Sequence, residues 1–348
     1  MKLLIISDAW FPQVNGVVRT YENLGAGMRD LGHTVKIIGP SDFPIRTSMP
    51  GYPEIKLAIA PYARLTRLIE EYQPDKIHLS TEGPLGWAGR RYCLKNNKPF
   101  STAFHTMFPD YMAKRAAKIL PPLHNFAHEQ AKKFVRHFHS PSKAMMVATQ
   151  SVEDTLMSWG FKNPIHRVTR GANLEQFYPG DKTLFKALKG PIALYVGRIA
   201  IEKSIEDFLE MDWHGSKVIV GDGPSRTSLE QKYPGVYFTG NKEGEELAAH
   251  FRSADLFVFP SRTDTFGMVI VEALASGLPV AAYNVTGPKD IVTKPFLGAL
   301  HENNLSIAAK NALKNGVPEK CTIHVKNIYT WENAVKQYED ALTNKVKH

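Results

Sequence analysis

The sequence predicts an α/β protein built from two doubly wound, parallel-sheet domains, and three observations carry that expectation. Short apolar runs alternate with stretches of helical spacing along the chain. The alternation breaks at a polar, glycine-bearing connector, "RGANLEQFYPGDK", and then restarts. The length, 348 residues, suits two domains of about 150 residues each. Alternation at this spacing argues for parallel sheets covered on both faces by helices, and two such runs argue for two domains facing one another across a cleft. The expected domains are 1–171 and 172–330, with the helical stretch 331–348 a candidate to pack back on the first.

In the first half, "KLLIIS" reads as the opening strand. The Pro/Asn/Gly loop "WFPQVNG" follows, then a helical pattern from Val17 to Leu31 and the strand "HTVKIIGP". Further strands are expected at "KIHLS", "PFSTAF" and "AMMVAT". In the second half they fall at "IALYVG", "KVIVGD", "VYFTG", "LFVFPS" and "LPVAAY", each followed by a loop and a candidate helix. Several classes are excluded. No run reaches the ~20 apolar residues that span a bilayer, since "MVIVEALASGLPVAAY" is broken by Glu272. The apolar core of "MKLLIISD" is too short for a signal peptide. Cys93 and Cys321 lie far apart and fit a reducing cytoplasm better than a disulfide framework.

The net charge of +9 is unevenly spread. Residues 1–172 carry 23 Lys and Arg against 13 Asp and Glu, whereas 173–348 carry 20 against 21. A basic excess confined to one half suits an anionic partner such as nucleic acid, a membrane or a phosphorylated substrate.

Ligands of doubly wound folds sit beyond the carboxyl ends of the strands, so the residues just after each strand are the ones to read. After the first strand, Gly16 opens a helix and offers backbone N–H groups to a phosphate; a plain turn glycine is the alternative. The G-x-G-x-x-G fingerprint of dinucleotide binding is absent. His105 follows "PFSTAF" and serves either to bond a sugar hydroxyl and handle protons or simply as a structural histidine. Arg198 and Lys203 flank a strand-to-helix junction where a planar fork and a point charge together suit a diphosphate, though either alone also suits a surface. The most informative segment is "FPSRTDTFGMVIVEALASGLPV". Asp264 stands at the helix mouth, the backbone of Thr265, Phe266 and Gly267 turns into the helix, and Glu272 lies inside it among apolar neighbours. A carboxylate in that position needs a partner, either sugar hydroxyls or a structural ion pair.

Taken jointly, "WFPQVNGVVRT", "LGHTVKIIGP", "STEGPLG", "FHTMFPDY", "RGANLEQFYP", "VGRIAIEKS", "VGDGP" and "SRTDTFG" resemble the retaining nucleotide-sugar glycosyltransferases of family 4, over nearly the whole chain. The resemblance implies the GT-B fold of two Rossmann-like domains, the first binding the acceptor and the second the donor. It implies that Gly16 faces the donor phosphates, that Arg198 and Lys203 hold the diphosphate, and that His105 sits beside the transferred sugar. Asp264 with the Thr265–Gly267 backbone is implied to bind sugar hydroxyls, Glu272 the ribose, and the loops at Gly221, Asp222, Gly223 and Gly240 to border the base. Two features depart from the family pattern: Asp264 stands where Glu is usual, and Asn15-Gly16 where many members have two glycines. The "TDTFG" form is similar to the branch containing mannosyl- and sulfoquinovosyltransferases that act on lipids, which favours GDP-mannose, with a UDP-sugar as the alternative co-substrate.

No D-x-D occurs in the sequence, so no metal is expected on the diphosphate, and no separate cofactor. Between Tyr111 and His139, Lys114, Arg115, Lys118, Lys132, Lys133 and Arg136 are interleaved with apolar residues. This stretch reads either as a basic amphipathic surface for an anionic bilayer or as a solvated helix packed on its own domain. His124, His128, His137 and His139 lack the H-E-x-x-H pattern, and zinc is not expected there. A dehydrogenase lacks its glycine fingerprint, and a nucleic-acid binder leaves Asp264, Glu272, Arg198 and Lys203 without a role; a GT-B epimerase or phosphorylase shares the fold. The expected protein is thus a hexosyltransferase at the cytoplasmic membrane face, taking a lipid or lipid-linked acceptor and no nucleic acid.

Overall fold

The computed structural model describes residues 1–13, 15–49, 52–107 and 123–343; the side chains of 52–54, 123 and 124 lie outside that description. In chain order the first run of elements is β1 (Lys2–Ile6), α1 (Gly16–Asp30), β2 (Thr34–Ile38), β3 (Arg46–Met49), β4 (Tyr52–Ala58), α2 (Tyr62–Tyr72), β5 (Lys76–Leu79), α3 (Pro84–Lys95), β6 (Phe100–Ala103), α4 (Leu123–His139), β7 (Ala144–Val147), α5 (Gln150–Ser158) and β8 (Ile165–Arg167). The second run is β9 (Ile192–Val196), α6 (Ile205–Glu210), β10 (Ser216–Val220), α7 (Arg226–Lys232), β11 (Tyr237–Phe238), α8 (Gly244–Ser253), β12 (Leu256–Phe259), α9 (Met268–Ala275), β13 (Val280–Tyr283), α10 (Pro288–Ile291), β14 (Gly298–His301), α11 (Leu305–Asn315) and α12 (Pro318–Ile328). A last helix, α13, covers Trp331–Thr343. Two compact units result: Met1–Thr169 with Trp331–His348, and Arg170–Thr330.

The first unit holds a parallel sheet in the order β2-β1-β5-β6-β7-β8. Alternate residues of β1 feed opposite faces, as the period of two requires. Leu4 and Ile6 join Leu65, Ile69, Leu85 and Tyr92 under α2 and α3. Leu3 and Ile5 join Tyr21, Leu24 and Met28 of α1 with Ala334, Val335 and Tyr338 of α13. A strand buried on both faces reads as a continuous apolar run, which is why "LLII" is legible. Helix α13 thus completes the core of a unit whose other elements end at residue 169, and Gly27 allows it to come close. A Cβ on Gly27 would lie 2.3 Å from a Val335 methyl.

The second unit holds a parallel sheet in the order β11-β10-β9-β12-β13-β14. Ala193, Tyr195, Phe208, Ile219, Val258 and Ala309 lie in its core. Its entering and leaving segments lie side by side, with the Ala172 N–H donating to the Tyr329 carbonyl at 3.0 Å.

Three features go beyond the sequence expectation. Strands β3 and β4 form an antiparallel hairpin, and β8 and β14 extend the two sheets at their edges. The edge strands "IHR" and "GALH" are short and lack an apolar run, so the neighbour's hydrogen-bonding edge decides their conformation rather than their own pattern.

Candidate active site

In the second unit the strand ends meet through close backbone contacts. Gly197 directly follows β9 and its N–H donates to the Val220 carbonyl at 3.0 Å, while the Ile199 N–H donates to the Asp222 carbonyl at 2.9 Å. Gly221 has φ +140°, and a Cβ there would stand 2.0 Å from the Gly197 oxygen. Gly223 is equally constrained, 2.3 Å from the Ile199 oxygen. The Gly221 N–H reaches the Gly240 carbonyl at 2.8 Å, so the three loops carrying Gly197–Ile199, Gly221–Gly223 and Gly240 form one surface. Asp222 turns to Arg226, whose Nη1 donates to Oδ2 at 3.0 Å.

Lys203 ends the 3-10 turn after β9, and its Nζ donates to Asp264 Oδ1 at 2.7 Å. These residues are 61 positions apart, and the sequence reading assigned them to different parts of one donor. Both are about one-quarter exposed, so the pair is partly shielded from water. Asp264 Oδ2 is buried and has no hydrogen-bond partner among the described residues. Beneath them, the Tyr195 hydroxyl donates to the Arg198 carbonyl at 2.9 Å. Burial first, and the carboxylates of Asp264 and Glu202 next, push that phenol well above its ordinary value.

Helix α9 opens at Gly267, whose φ of +93° falls in the left-handed region. The Phe266 ring is buried and meets Tyr329 edge-on at 5.9 Å, which leaves the backbone at Thr265–Gly267 as the part able to meet a ligand. Gly287, which the sequence reading did not single out, presses against this backbone. A Cβ there would lie 2.9 Å from the Asp264 oxygen and 2.8 Å from that of Phe266. A Gly-Pro pair soon after a strand is the signal that could have found it. Glu272 is 5% exposed, deep in the apolar helix as anticipated.

In the first unit, Asn15 caps α1, and its side chain accepts from the N–H groups of Val17 at 2.9 Å and Val18 at 3.1 Å. The cap therefore takes two of the donors that this turn offers an anion beside Gly16. Sequence reasoning missed Asp8, which follows β1 and is 5% exposed. It accepts from Leu85 N–H at 2.8 Å, Gly86 N–H at 3.2 Å and the Thr81 hydroxyl at 2.9 Å, anchoring the start of α3 to β1. A polar residue directly after a doubly buried strand was the available signal. Burial outweighs these hydrogen bonds and lifts the Asp8 carboxyl to about 6. A carboxyl that binds its proton more tightly in the fold favours folding below its unfolded value near 4, and that contribution is lost as pH rises through about 6. The melting temperature of the wild type is therefore expected to fall relative to Asp8→Asn between pH 4.5 and 6 and to run parallel above pH 7. A difference curve rising with pH over that window contradicts it.

His105 lies just beyond β6, partly exposed, with Nε2 2.9 Å from the Tyr21 hydroxyl. On α4, Lys133, Arg136 and Phe126 are exposed, Phe126 by 64%, while Ala131, Val135 and Phe138 face inward. Lys132 donates to Glu129 at 2.8 Å. Lys114, Arg115 and Lys118 lie outside the described residues, as does the side chain of His124. The remaining histidines of this stretch go to separate neighbours: His128 to the Trp159 ring, His137 to the Trp87 ring, and His139 Nε2 to Glu82 at 3.0 Å. Among the described residues no group of three or more His, Cys, Asp or Glu side chains could hold a metal ion.

Comparison with known proteins adds to this geometry. Residues 14–176 match the model of "Glycosyltransferase Family 4", and 181–316 that of "Glycosyl transferases group 1". A GDP-mannose-dependent alpha-mannosyltransferase of Mycobacterium tuberculosis is 28% identical over 324 residues, 86% of this chain and 83% of that one. The sulfoquinovosyl transferase SQD2 of Arabidopsis thaliana is 26% identical, over 83% of this chain and 60% of its own. The alpha-monoglucosyldiacylglycerol synthase of Acholeplasma laidlawii is 28% identical, over 80% and 79%. Among solved structures, the sucrose-phosphate synthase of Thermosynechococcus elongatus superposes with a TM-score of 0.78 at 21% identity, covering 99% of this chain and 98% of that one. At this identity the likeness is one of fold.

Proposed function

The chain belongs to the family-4 and group-1 glycosyltransferases of GT-B fold, and from that premise we propose that it moves a hexose, with mannose favoured, from a nucleoside diphosphate sugar to a hydroxyl of a lipid or lipid-linked glycan. The observation that carries this reading is the Lys203–Asp264 contact, set between the Gly267 turn and the glycine-built loops after β9 and β10. It puts an ammonium suited to a diphosphate beside a carboxylate suited to sugar hydroxyls. Lys203 and Arg198 hold the diphosphate, Asp264 with the backbone from Thr265 to Gly267 holds the sugar, and Glu272 holds the ribose. The glycines at 221, 223 and 240 and Asp222 border the base, and Gly16 is the residue proposed to meet the phosphates.

The reaction retains configuration at the anomeric carbon. The acceptor hydroxyl attacks that carbon on the face from which the diphosphate leaves, the bond to the phosphate oxygen breaks, and a phosphate oxygen takes the hydroxyl proton. Lys203, Arg198 and helix N-termini offset the charge developing on the leaving group, without a metal ion. His105 positions groups beside the departing sugar. The first unit takes the acceptor.

Melting the purified protein with GDP, UDP or ADP, each with chelator present, tests the donor site. A ligand at 100 times its dissociation constant adds ~2.7 kcal/mol, which is several degrees for units of this size. A shift with GDP alone supports the mannose donor, and a shift with UDP alone supports the alternative UDP-sugar donor. No shift with any of the three removes the reading. The relatives named as monoglucosyldiacylglycerol synthases, and the exposed Lys133, Arg136 and Phe126 on α4, support a peripheral site of action on the inner membrane face. No helix among the described residues is long and apolar enough to cross a membrane. Co-sedimentation with phosphatidylglycerol vesicles is expected, with release in 1 M salt. At about 1 kcal/mol per basic residue, replacing Lys132, Lys133 and Arg136 by serine is expected to lower the partition coefficient by about two orders of magnitude. Equal binding to neutral vesicles contradicts it.

A further inference from the structure

Lys203 and Asp264 sit on separate loops, and one partly exposed ion pair does not by itself keep two loops at a fixed distance. Close by in the chain lies a group of side chains that neither the sequence reading nor the proposed reaction uses. The Arg262 guanidinium stacks over the ring of Tyr283, the last residue of β13, its carbon 3.4 Å from the ring centroid. Its Nη1 donates to the Glu302 carbonyl at 3.4 Å, and its Nη2 lies 3.7 Å from Asp207 Oδ2. The Tyr283 hydroxyl donates to that same Asp207 oxygen at 2.7 Å. Arg262 thereby joins its own loop to the end of β13, to the segment after β14 and to the first turn of α6.

Both ends of this contact lead straight to the pair. Arg262 stands two residues before Asp264, and Asp207 four residues after Lys203. The second connection is stiff. Ser204 takes φ +50°, its N–H donates to the Ile201 carbonyl at 3.1 Å, and the Asp207 N–H closes on the Ser204 carbonyl at 3.1 Å. On the first, the Asp264 carbonyl lies against Gly287, so that backbone has no room to slide toward α10. Arg262 and Asp207 are 34% and 39% exposed, so their charges add little stability. The buried Tyr283 between them supplies direction instead, through one ring face and one hydroxyl. Direction matters here because a displacement of about 1 Å in a reacting group can cost about 10²-fold in rate.

We propose that Arg262, Tyr283 and Asp207 are positioning residues that clamp the loop carrying Asp264 to the turn carrying Lys203. The clamp sets the spacing between the cation for the diphosphate and the carboxylate for the sugar. The inference rests on the proposed roles of Lys203 and Asp264, and it adds what fixes one against the other.

Arg262→Met in the full-length protein removes the guanidinium and keeps an unbranched side chain. With the nucleotide sugar that melting identifies, it is expected to lower kcat about tenfold and to change the donor KM less than twofold. In a Lys203→Met background the same change is expected to lower kcat less than twofold further, because the pair it aligns is already gone. Melting curves without nucleotide read the same linkage. The drop in Tm caused by Lys203→Met is expected to shrink by half or more in the Arg262→Met background. Tyr283→Phe keeps the ring and removes the bond to Asp207; it serves in the same cycles if Arg262→Met fails to fold, with kcat about threefold lower. Effects that add in full in both measurements overturn the proposal. A donor KM raised tenfold at unchanged kcat also overturns it, since Arg262 then binds the donor directly. If the wild type turns over no nucleotide sugar, the functional reading fails, and the melting curves still decide whether Arg262 holds the pair together.

Discussion

Lys203→Met is expected to lower kcat and kcat/KM together by about 10²–10³-fold. In the proposed reaction the diphosphate gains charge as it leaves, and a fixed ammonium at that point acts more strongly on the transition state than on the bound donor. Loss of an interaction of that kind lowers both constants equally, whereas loss of simple binding raises KM alone. The effect has a second source in the fold. Lys203 donates to Asp264 at 2.7 Å, and the other oxygen of that carboxylate is buried with no partner among the described residues. Methionine leaves the carboxylate without this cation in a partly shielded place, so the variant is also expected to melt lower. Lys203→Arg separates the two effects: it restores the charge to Asp264 and hence the stability, but a planar fork does not reproduce a point charge at the phosphate. Steady-state rates and melting curves of both variants, with the nucleotide sugar identified by melting, decide the matter. A Lys203→Met enzyme within threefold of wild type in kcat shows that Lys203 serves Asp264 alone.

Gly221→Ala is expected to cost about 3–5 kcal/mol of stability, the upper range for a single substitution. Two causes act together. The backbone sits at φ +140°, which an L side chain rarely adopts, and the added carbon would fall 2.0 Å from the Gly197 carbonyl oxygen. Neither can relax alone, because the Gly221 N–H is tied to Gly240 and the Gly197 N–H to Val220. At about 2–4 °C per kcal/mol for a unit of this size, calorimetry is expected to show the second unit melting roughly 10 °C or more below the wild type. Gly235→Ala is the control, since a Cβ there meets no atom within 4 Å. A Gly221→Ala protein melting with the control shows that the two loops part readily.

The residues that could be read from sequence are those whose meaning lies in their own position. Asp264, Glu272, Arg198 and His105 follow strands or interrupt an apolar helix, and a doubly wound fold gives those places significance in advance. What stays hidden is pairing across the sheet. Lys203 and Asp264 are far apart in the chain, as are Tyr21, His78 and His105, and no local pattern sets the distance between them. His78 is the clearest case: in "KIHLS" it looks like a polar interruption of a weak strand, whereas in the fold its register brings it to Ser101 and α1 brings it to the Tyr21 hydroxyl. The fold follows the same division. Strands buried on both faces announce themselves as apolar runs, while "RTSM", "IHR" and "GALH" take their conformation from a neighbour.

The helix at Trp331–Thr343 has a consequence for the order in which this protein becomes a folded object. On the ribosome the second unit is a continuous stretch, Arg170–Thr330, and all of it exists before Trp331 is made. The first unit, begun earlier, must wait for Ala334, Val335 and Tyr338 to cover Leu3, Ile5 and Tyr21. At about 5–20 residues per second that delay is roughly 10–30 s, during which an apolar strip of the nascent chain stays uncovered. Production in cells is therefore expected to depend on chaperones that hold the first unit, and the half synthesised first is the half finished last.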